Sequence, residues 1–124
     1  DAINQTGYVG NNVRTGKTEN IQWYEVEKAQ SEGALVVDVR TEGEHQKGNI
    51  PNAQLIPVDQ LRDNVEQLRG KDVIVTCAVG QRGHTATQLL RSHGISVKNL
   101  DGGYTTWRAG MDARERVKVA STAL

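Results

Sequence analysis

The chain has 124 residues, of which 36% are hydrophobic and 24% charged, a composition typical of one folded domain and not of a disordered chain. The 15 basic and 15 acidic side chains cancel, so no net charge draws the chain to nucleic acid or to an anionic membrane. A single cysteine excludes an internal disulfide, and no apolar run approaches the roughly 20 residues that span a bilayer.

The chain opens on a polar stretch. Residues 1–20 are rich in Asn, Gly and Thr and predict an N-terminal arm or linker, without the basic start and apolar run of a signal peptide. Together with the lone cysteine, this predicts a reducing, cytoplasmic location. Residues 21–112 form the predicted domain. Residues 113–124, in which charges of both signs are interspersed, form a predicted solvated tail.

Within the predicted domain, helical and strand-like patterns alternate. Residues 21–31 hold good helix formers, and residues 34–39 are a β-branched apolar run typical of a strand buried on both faces. Further strands are predicted within residues 48–57, at 72–76 and at 95–100. Further helices are predicted at 42–47, at 59–68 with Asp59 as N-cap, at 85–93 with Gly94 as C-cap, and after Gly103 through Trp107. This alternation predicts an α/β fold with a central, mainly parallel sheet covered by helices on both faces.

Cys77 directly follows the strand predicted at residues 72–76. It therefore lies at the carboxyl edge of the sheet, where open α/β sheets bind ligands. The residues that follow it are Ala78, Val79, Gly80, Gln81, Arg82 and Gly83. Backbone N–H groups of such a loop can surround an anion in front of the sulfur, and the helix dipole and Arg82 would stabilise a thiolate. An inert buried cysteine is the ordinary alternative, but the combination of strand, Cys, loop, Arg and helix favours a reactive one.

This loop resembles that of the rhodanese family, whose reactive cysteine opens a short loop that ends in Arg before a helix. Two more motifs resemble the family's signatures: Asp38, Val39, Arg40, Glu44, Gly48, Ile50 and Ala53 upstream, and Leu100, Asp101, Gly102, Gly103 and Trp107 downstream. The resemblance spans about residues 20–110. It implies a sulfurtransferase that moves a sulfane sulfur from thiosulfate, a persulfide or a polysulfide to a thiol or cyanide through a Cys77 persulfide. Arg82 and the amides of residues 78–83 would bind the donor, and no cofactor is implied.

Two further site residues have competing interpretations. Arg40 is a candidate for binding an anionic donor, but the favoured interpretation is a structural ion pair among Asp38, Arg40 and Glu44, because buried charges are usually paired. Gly83 stands where the family often has a small hydroxyl residue, which leaves contact with the bound sulfur to backbone amides. His84 is a candidate base, but the favoured interpretation is a surface histidine of a helix. Trp23 and Trp107 are interpreted as packing residues, and His45 and His93 show no spacing with Cys77 that indicates a metal site.

Two other functions remain open at this point. A dual-specificity cysteine phosphatase uses the same thiolate and Arg, but its loop is one residue longer, so the shorter loop here favours a sulfur atom over a phosphate. A non-catalytic module that only binds an anion or a partner is the second alternative, and the presence of Cys77 argues against it. Residues 1–9 resemble the end of the dimerisation domain of flavin-dependent coenzyme A-disulfide reductases, some of which carry a C-terminal rhodanese domain. That resemblance implies a fused or associated reductase, which would supply flavin and nicotinamide.

Overall fold

The computed structural model describes residues 19–122, so the predicted arm lies outside the described residues except for its last two positions. The strands are β1 (Asn20–Ile21), β2 (Leu35–Asp38), β3 (Gln54–Leu55), β4 (Asp72–Thr76) and β5 (Ser96–Leu100). The α-helices are α1 (Val26–Ser31), α2 (Glu42–Lys47), α3 (Gln81–Ser92) and α4 (Gly103–Thr122). Shorter 3-10 helices cover Trp23–Glu25, Val58–Gln60 and Arg62–Leu68.

The five strands form one sheet in the order β1-β5-β4-β2-β3, and every neighbouring pair is parallel. This confirms the predicted α/β fold. The order makes β4 the central strand, with β5 on one side and β2 on the other. Residues that follow β2, β4 and β5 therefore meet at one edge of the sheet, because the carboxyl ends of parallel strands point the same way.

Helices cover both faces of the sheet, as predicted. Ile74 of β4 belongs to one core cluster with Val26 of α1 and Trp107 of α4. Its neighbour Val75 faces the other way and belongs to a second cluster with Leu90 of α3. Successive side chains of a strand point to opposite faces, so a continuous apolar run is the pattern that a sheet buried on both sides requires. Among the described residues, no helix is long and apolar enough to cross a membrane.

The segment predicted as a helix at residues 59–68 is instead two 3-10 helices, Val58–Gln60 and Arg62–Leu68. Asp59 lies inside the first of them and is not an N-cap, because this helix begins at Val58 with Pro57 as its N-cap, and the Val58 N–H donates to the Val39 carbonyl at 3.1 Å. The predicted apolar face is correct. Its members, all at most 4% exposed, are Leu61, Val65 and Leu68.

Two helices are longer than predicted. α3 begins at Gln81 and not at residue 85, because Gly80 takes a left-handed φ of 106° as the N-cap and turns the chain at once. α4 continues to Thr122 and does not stop near Trp107, because residues 111–118 are mostly strong helix formers without proline. Residues 112–120, which include most of the predicted tail, are exposed side chains on this helix.

Candidate active site

Cys77 follows the last residue of the central strand and is only 1% exposed. The Gly80 N–H donates a hydrogen bond to Cys77 Sγ at 2.9 Å. The left-handed φ of Gly80 turns the chain directly after this amide, so that α3 begins at the next residue. The sulfur therefore lies at the N-terminus of a 12-residue helix, where the aligned peptide dipoles favour a negative charge.

The start of α4 holds the loop from the other side. The Tyr104 N–H donates to the Cys77 carbonyl at 2.6 Å, and the Thr105 N–H donates to the Ala78 carbonyl at 3.0 Å. Gly103 has a φ of 65°, and a Cβ at this position would collide with both carbonyl groups. The downstream glycine motif therefore has a physical role, because only glycine lets α4 approach the backbone of the loop this closely.

Asn99 of β5 lies beneath the loop and was not among the site residues predicted from the sequence. Its Nδ2 group donates to the Gly80 carbonyl at 3.3 Å, while its Oδ1 atom is buried and has no hydrogen-bond partner. A Cβ at Gly83 would collide with the Asn99 amide and lie 3.5 Å from Cys77 Sγ. Asn99 therefore fills the space that the absent Gly83 side chain leaves. The signal in the sequence is a polar residue two positions after the buried Val97, on the same inward face of β5.

Arg82 lies in the first turn of α3 and forms a two-pronged ion pair with Glu44 of α2. Nη1 donates to Oε1 and Nη2 donates to Oε2, both at 2.9 Å, and each side chain is 36% exposed. The hydrogen bond from Arg82 and that from the Thr41 N–H lower the pKa of Glu44 to about 2. The hydrogen bond to Glu44 raises the pKa of Arg82, and the charge of Cys77 adds to that shift. Glu44 was expected in the ion pair of Asp38 and Arg40; the structure pairs it with Arg82.

Arg40 takes part in a separate buried network. Its Nη2 group donates to Asp38 Oδ2 at 2.8 Å and to the Gly48 carbonyl at 2.7 Å, and its guanidinium carbon lies 4.4 Å from the centre of the Tyr104 ring. His45 Nδ1 lies 2.8 Å from the same Asp38 oxygen. Burial works to raise the pKa of Asp38, but the hydrogen bonds from Arg40 and His45 outweigh it and lower this pKa. The predicted structural pairing of Asp38 with Arg40 is therefore present.

The remaining predicted residues divide between the inside and the rim of the site. Val79 is 61% exposed at the tip of the loop, and Gln81 is exposed beside it, whereas Ala78 is half-buried. Trp107 is a core residue, and Trp23 packs on the same cluster, as predicted. Within residues 19–122, no three His, Cys, Asp or Glu side chains are grouped as metal ligands would be.

The fold and this site define a class of α/β proteins that present a cysteine thiol to backbone amides at the N-terminus of a helix. Residues 22–110 match the family model of the rhodanese-like domain. Among curated proteins, the chain is 38% identical over 88 residues to the HTH-type transcriptional regulator Rv0324 of Mycobacterium tuberculosis, covering 68% of this chain and 39% of that protein. It is 37% identical over 82 residues to the thiosulfate sulfurtransferase GlpE of Pseudomonas fluorescens, covering 62% of this chain and 72% of that protein.

Solved structures agree with these matches. The chain resembles the crystal structure of reduced CoADR-RHD from Bacillus anthracis with 36% identity and a TM-score of 0.72, covering 77% of this chain and 17% of that one. It resembles the NAD-dependent persulfide reductase of A. fulgidus with 32% identity and a TM-score of 0.62, over the same shares of the two chains. The chain thus spans less than half of several relatives that it matches. It belongs to the rhodanese-like domain family, and some of its relatives are named sulfurtransferases.

Proposed function

We propose that the chain moves a sulfane sulfur through a persulfide on Cys77 in two half-reactions. In the first, the Cys77 thiolate attacks the outer sulfur of thiosulfate, a persulfide or a polysulfide, and the sulfur–sulfur bond of the donor breaks, so that sulfite or a thiolate leaves with the electron pair. In the second, a thiolate or cyanide attacks the outer sulfur of the persulfide, and Cys77 leaves as a thiolate. Each step exchanges one bond for another, so the cycle consumes no oxidant or reductant.

The hydrogen bond from the Gly80 N–H to Cys77 Sγ carries this proposal. An amide that points at the sulfur stabilises a thiolate before the donor arrives, at no cost of reorganisation during the reaction. After transfer, the negative charge resides on the outer sulfur, one atom farther from the protein. The N-terminus of α3, whose first turn holds Arg82, then faces that charge. In this proposal Arg40 has a structural role, because Asp38 and the Gly48 carbonyl already occupy its guanidinium.

Mass spectrometry of the intact protein tests the proposal. After exposure to thiosulfate or to an alkyl persulfide, the native protein should gain the mass of one sulfur atom on Cys77 and lose it when cyanide or a thiol is added. Cys77→Ser should gain nothing and transfer no sulfur, while its circular dichroism stays native. A Cys77→Ser protein that still transfers sulfur would contradict the proposal, and so would hydrolysis of an aryl phosphate by the native protein at a comparable rate.

We also propose that a flavin-dependent disulfide or persulfide reductase, fused to this chain or associated with it, is the physiological partner. The support is the similarity to CoADR-RHD and to the persulfide reductase, of each of which this chain matches 17%. The test has two parts: the reading frame upstream of residue 1, and reduction of the Cys77 persulfide by a reductase of this class with NADH or NADPH. The proposal fails if no reductase precedes the chain and none reduces the loaded Cys77 faster than a free thiol does.

A further inference from the structure

The guanidinium of Arg82, in the first turn of the helix that follows the Cys77 loop, already has a negatively charged partner. The Nη1 and Nη2 groups of Arg82 each donate to a different oxygen of Glu44 at 2.9 Å, a side-by-side geometry that uses two of the five guanidinium N–H bonds. Among the described residues, no further acceptor is seen for the other N–H bonds of this guanidinium, but the charges of the pair sum to zero. An approaching anion therefore meets hydrogen-bond donors without net positive charge.

Glu44 is held in this position by the start of its own helix. Its Oε1 atom accepts the Thr41 N–H at 3.0 Å and lies 3.2 Å from the Thr41 hydroxyl, which in turn accepts the Glu44 N–H at 3.2 Å. This reciprocal arrangement is a capping box at the N-terminus of α2. The carboxylate is therefore fixed before any ligand binds, and releasing Arg82 from it would break contacts on both sides.

The second arginine at this edge of the sheet is neutralised in the same way. Arg40 forms a buried ion pair with Asp38 at 2.8 Å. The described contacts at this edge include those of two arginines, Arg40 and Arg82. Each of them forms an ion pair with one carboxylate. A dianion that approaches a thiolate needs surplus positive charge to offset the repulsion, whereas a donor that carries little charge does not.

Resting on the proposed sulfur transfer, we propose that Glu44 is a specificity-determining residue that cancels the charge of Arg82 and so selects an organic persulfide of low charge, in preference to dianionic thiosulfate, as the sulfur donor. Glu44 touches no donor atom in this account. It acts through Arg82, by setting the electrostatic potential at the mouth of the site.

Glu44→Gln tests the proposal, because Gln also fits the N3 position of a capping box but carries no charge. The measured quantity is the ratio of kcat/KM for thiosulfate to kcat/KM for the persulfide of 2-mercaptoethanol. The ratio should rise at least about tenfold in Glu44→Gln, since Arg82 regains a net positive charge. The matched control is Glu42→Gln, which removes the same charge from an exposed residue of the same helix that contacts Gln46 instead of Arg82. Its ratio should stay within about twofold of the native value.

The salt dependence gives a second measurement that needs no variant. With Arg82 neutralised, kcat/KM of the native protein for thiosulfate should change little between low salt and about 0.5 M salt, whereas Glu44→Gln should show a steep decline. An unchanged ratio in Glu44→Gln, an equal rise in Glu42→Gln, or a steep decline in the native protein overturns the proposal. These outcomes are distinct from failure of the sulfur transfer itself, in which Cys77 of the native protein would gain no sulfur from either donor.

Discussion

Gly83 and Asn99 show how one residue in the site depends on another that is distant in the sequence. Gly83 is buried in the first turn of α3, where a Cβ would collide with the Asn99 amide and lie 3.5 Å from Cys77 Sγ. Asn99 in turn holds the Gly80 carbonyl at 3.3 Å. Gly83 and Asn99 therefore set the space around the sulfur, and Asn99 also holds the backbone of Gly80, whose N–H contacts the sulfur.

The Gly83→Ser variant should be less stable and less active than the native protein. The additional substitution Asn99→Ala should restore much of both properties. The added side chain overpacks the site, which typically costs about 1–3 kcal/mol of unfolding free energy. It should also lower kcat/KM at least about tenfold, because small displacements in an active site cost large factors in rate. The double variant removes the collision and should recover much of both losses, as measured by urea unfolding and by a sulfur-transfer assay. The coupling is refuted if Gly83→Ser behaves as the native protein or if the double variant is no better than the single one.

At the scale of elements, α3 lies between two glycines that have left-handed backbone conformations and different roles. Gly80 precedes the helix with a φ of 106°, and Gly94 follows it with a φ of 80°. A Cβ at Gly94 would meet no atom within 4 Å, and one at Gly80 would only touch the Gly102 amide nitrogen at 3.7 Å. The cost of a side chain at either position is therefore mainly backbone strain, and only Gly80 contacts the sulfur.

Comparing Gly80→Ala with Gly94→Ala should distinguish the effect of backbone strain on stability from the effect of the Gly80 amide on the reaction. Each substitution should lower the free energy of unfolding by about 1–2 kcal/mol, the cost of a left-handed conformation for an L-residue. Gly80→Ala should in addition slow the loading of sulfur on Cys77 by at least about tenfold, because strain at this turn shifts the loop in which the Gly80 N–H contacts Sγ. Urea unfolding and time-resolved mass spectrometry measure the two effects. Equal loading rates in the two variants would show that the Gly80 amide does not assist the reaction.

At the scale of the whole molecule, two carboxyl groups with lowered pKa values make the stability of the fold depend on pH. The pKa of Asp38 lies below its ordinary value of 3.8, and that of Glu44 is lowered from 4.5 to about 2. Each group is a stronger acid in the folded state, so the unfolded chain binds more protons in acid. The ion pairs of Asp38 and Glu44 therefore contribute their full stability at a pH above the ordinary pKa values. This stability is lost as the pH falls through the pKa values of the folded state.

The unfolding free energy should be nearly constant from neutral pH to about pH 5 and then fall as the solution is acidified. Asp38→Asn should remove part of this acid dependence. It should also cost about 3–5 kcal/mol at neutral pH, because it leaves the buried Arg40 without its counter-charge. The matched control is Glu66→Gln, which breaks the ion pair of an 82% exposed carboxylate with Arg69 and should cost about 1 kcal/mol or less. Urea unfolding across the pH range measures both, and equal losses in the two variants would contradict the assigned role of Asp38.

Most of the fold was predictable because strand and helix signals are local. The runs at β2 and β4 are apolar and β-branched because both of their faces are covered by helices. Such a run can be recognised as a strand from consecutive residues, without knowing which strands lie beside it. Errors arose where a tertiary contact changed a local tendency. The segment after Pro57 forms 3-10 turns, and the Val58 N–H at its start donates to the Val39 carbonyl, a tertiary contact that no propensity around Asp59 indicates.

The amino-acid sequence alone indicates that Cys77 follows a buried strand and opens a short, glycine-bearing loop before a helix, because this pattern lies in consecutive residues. The surroundings of the sulfur depend on the folded structure. The partner of Arg82 is 38 positions away along the chain, and the carbonyl that Asn99 holds is 19 positions away. Both contacts depend on the sheet order, which places β4 between β2 and β5 and so brings α2 and Asn99 to the Cys77 loop. Strand order is a balance over the entire core, and no local pattern encodes it.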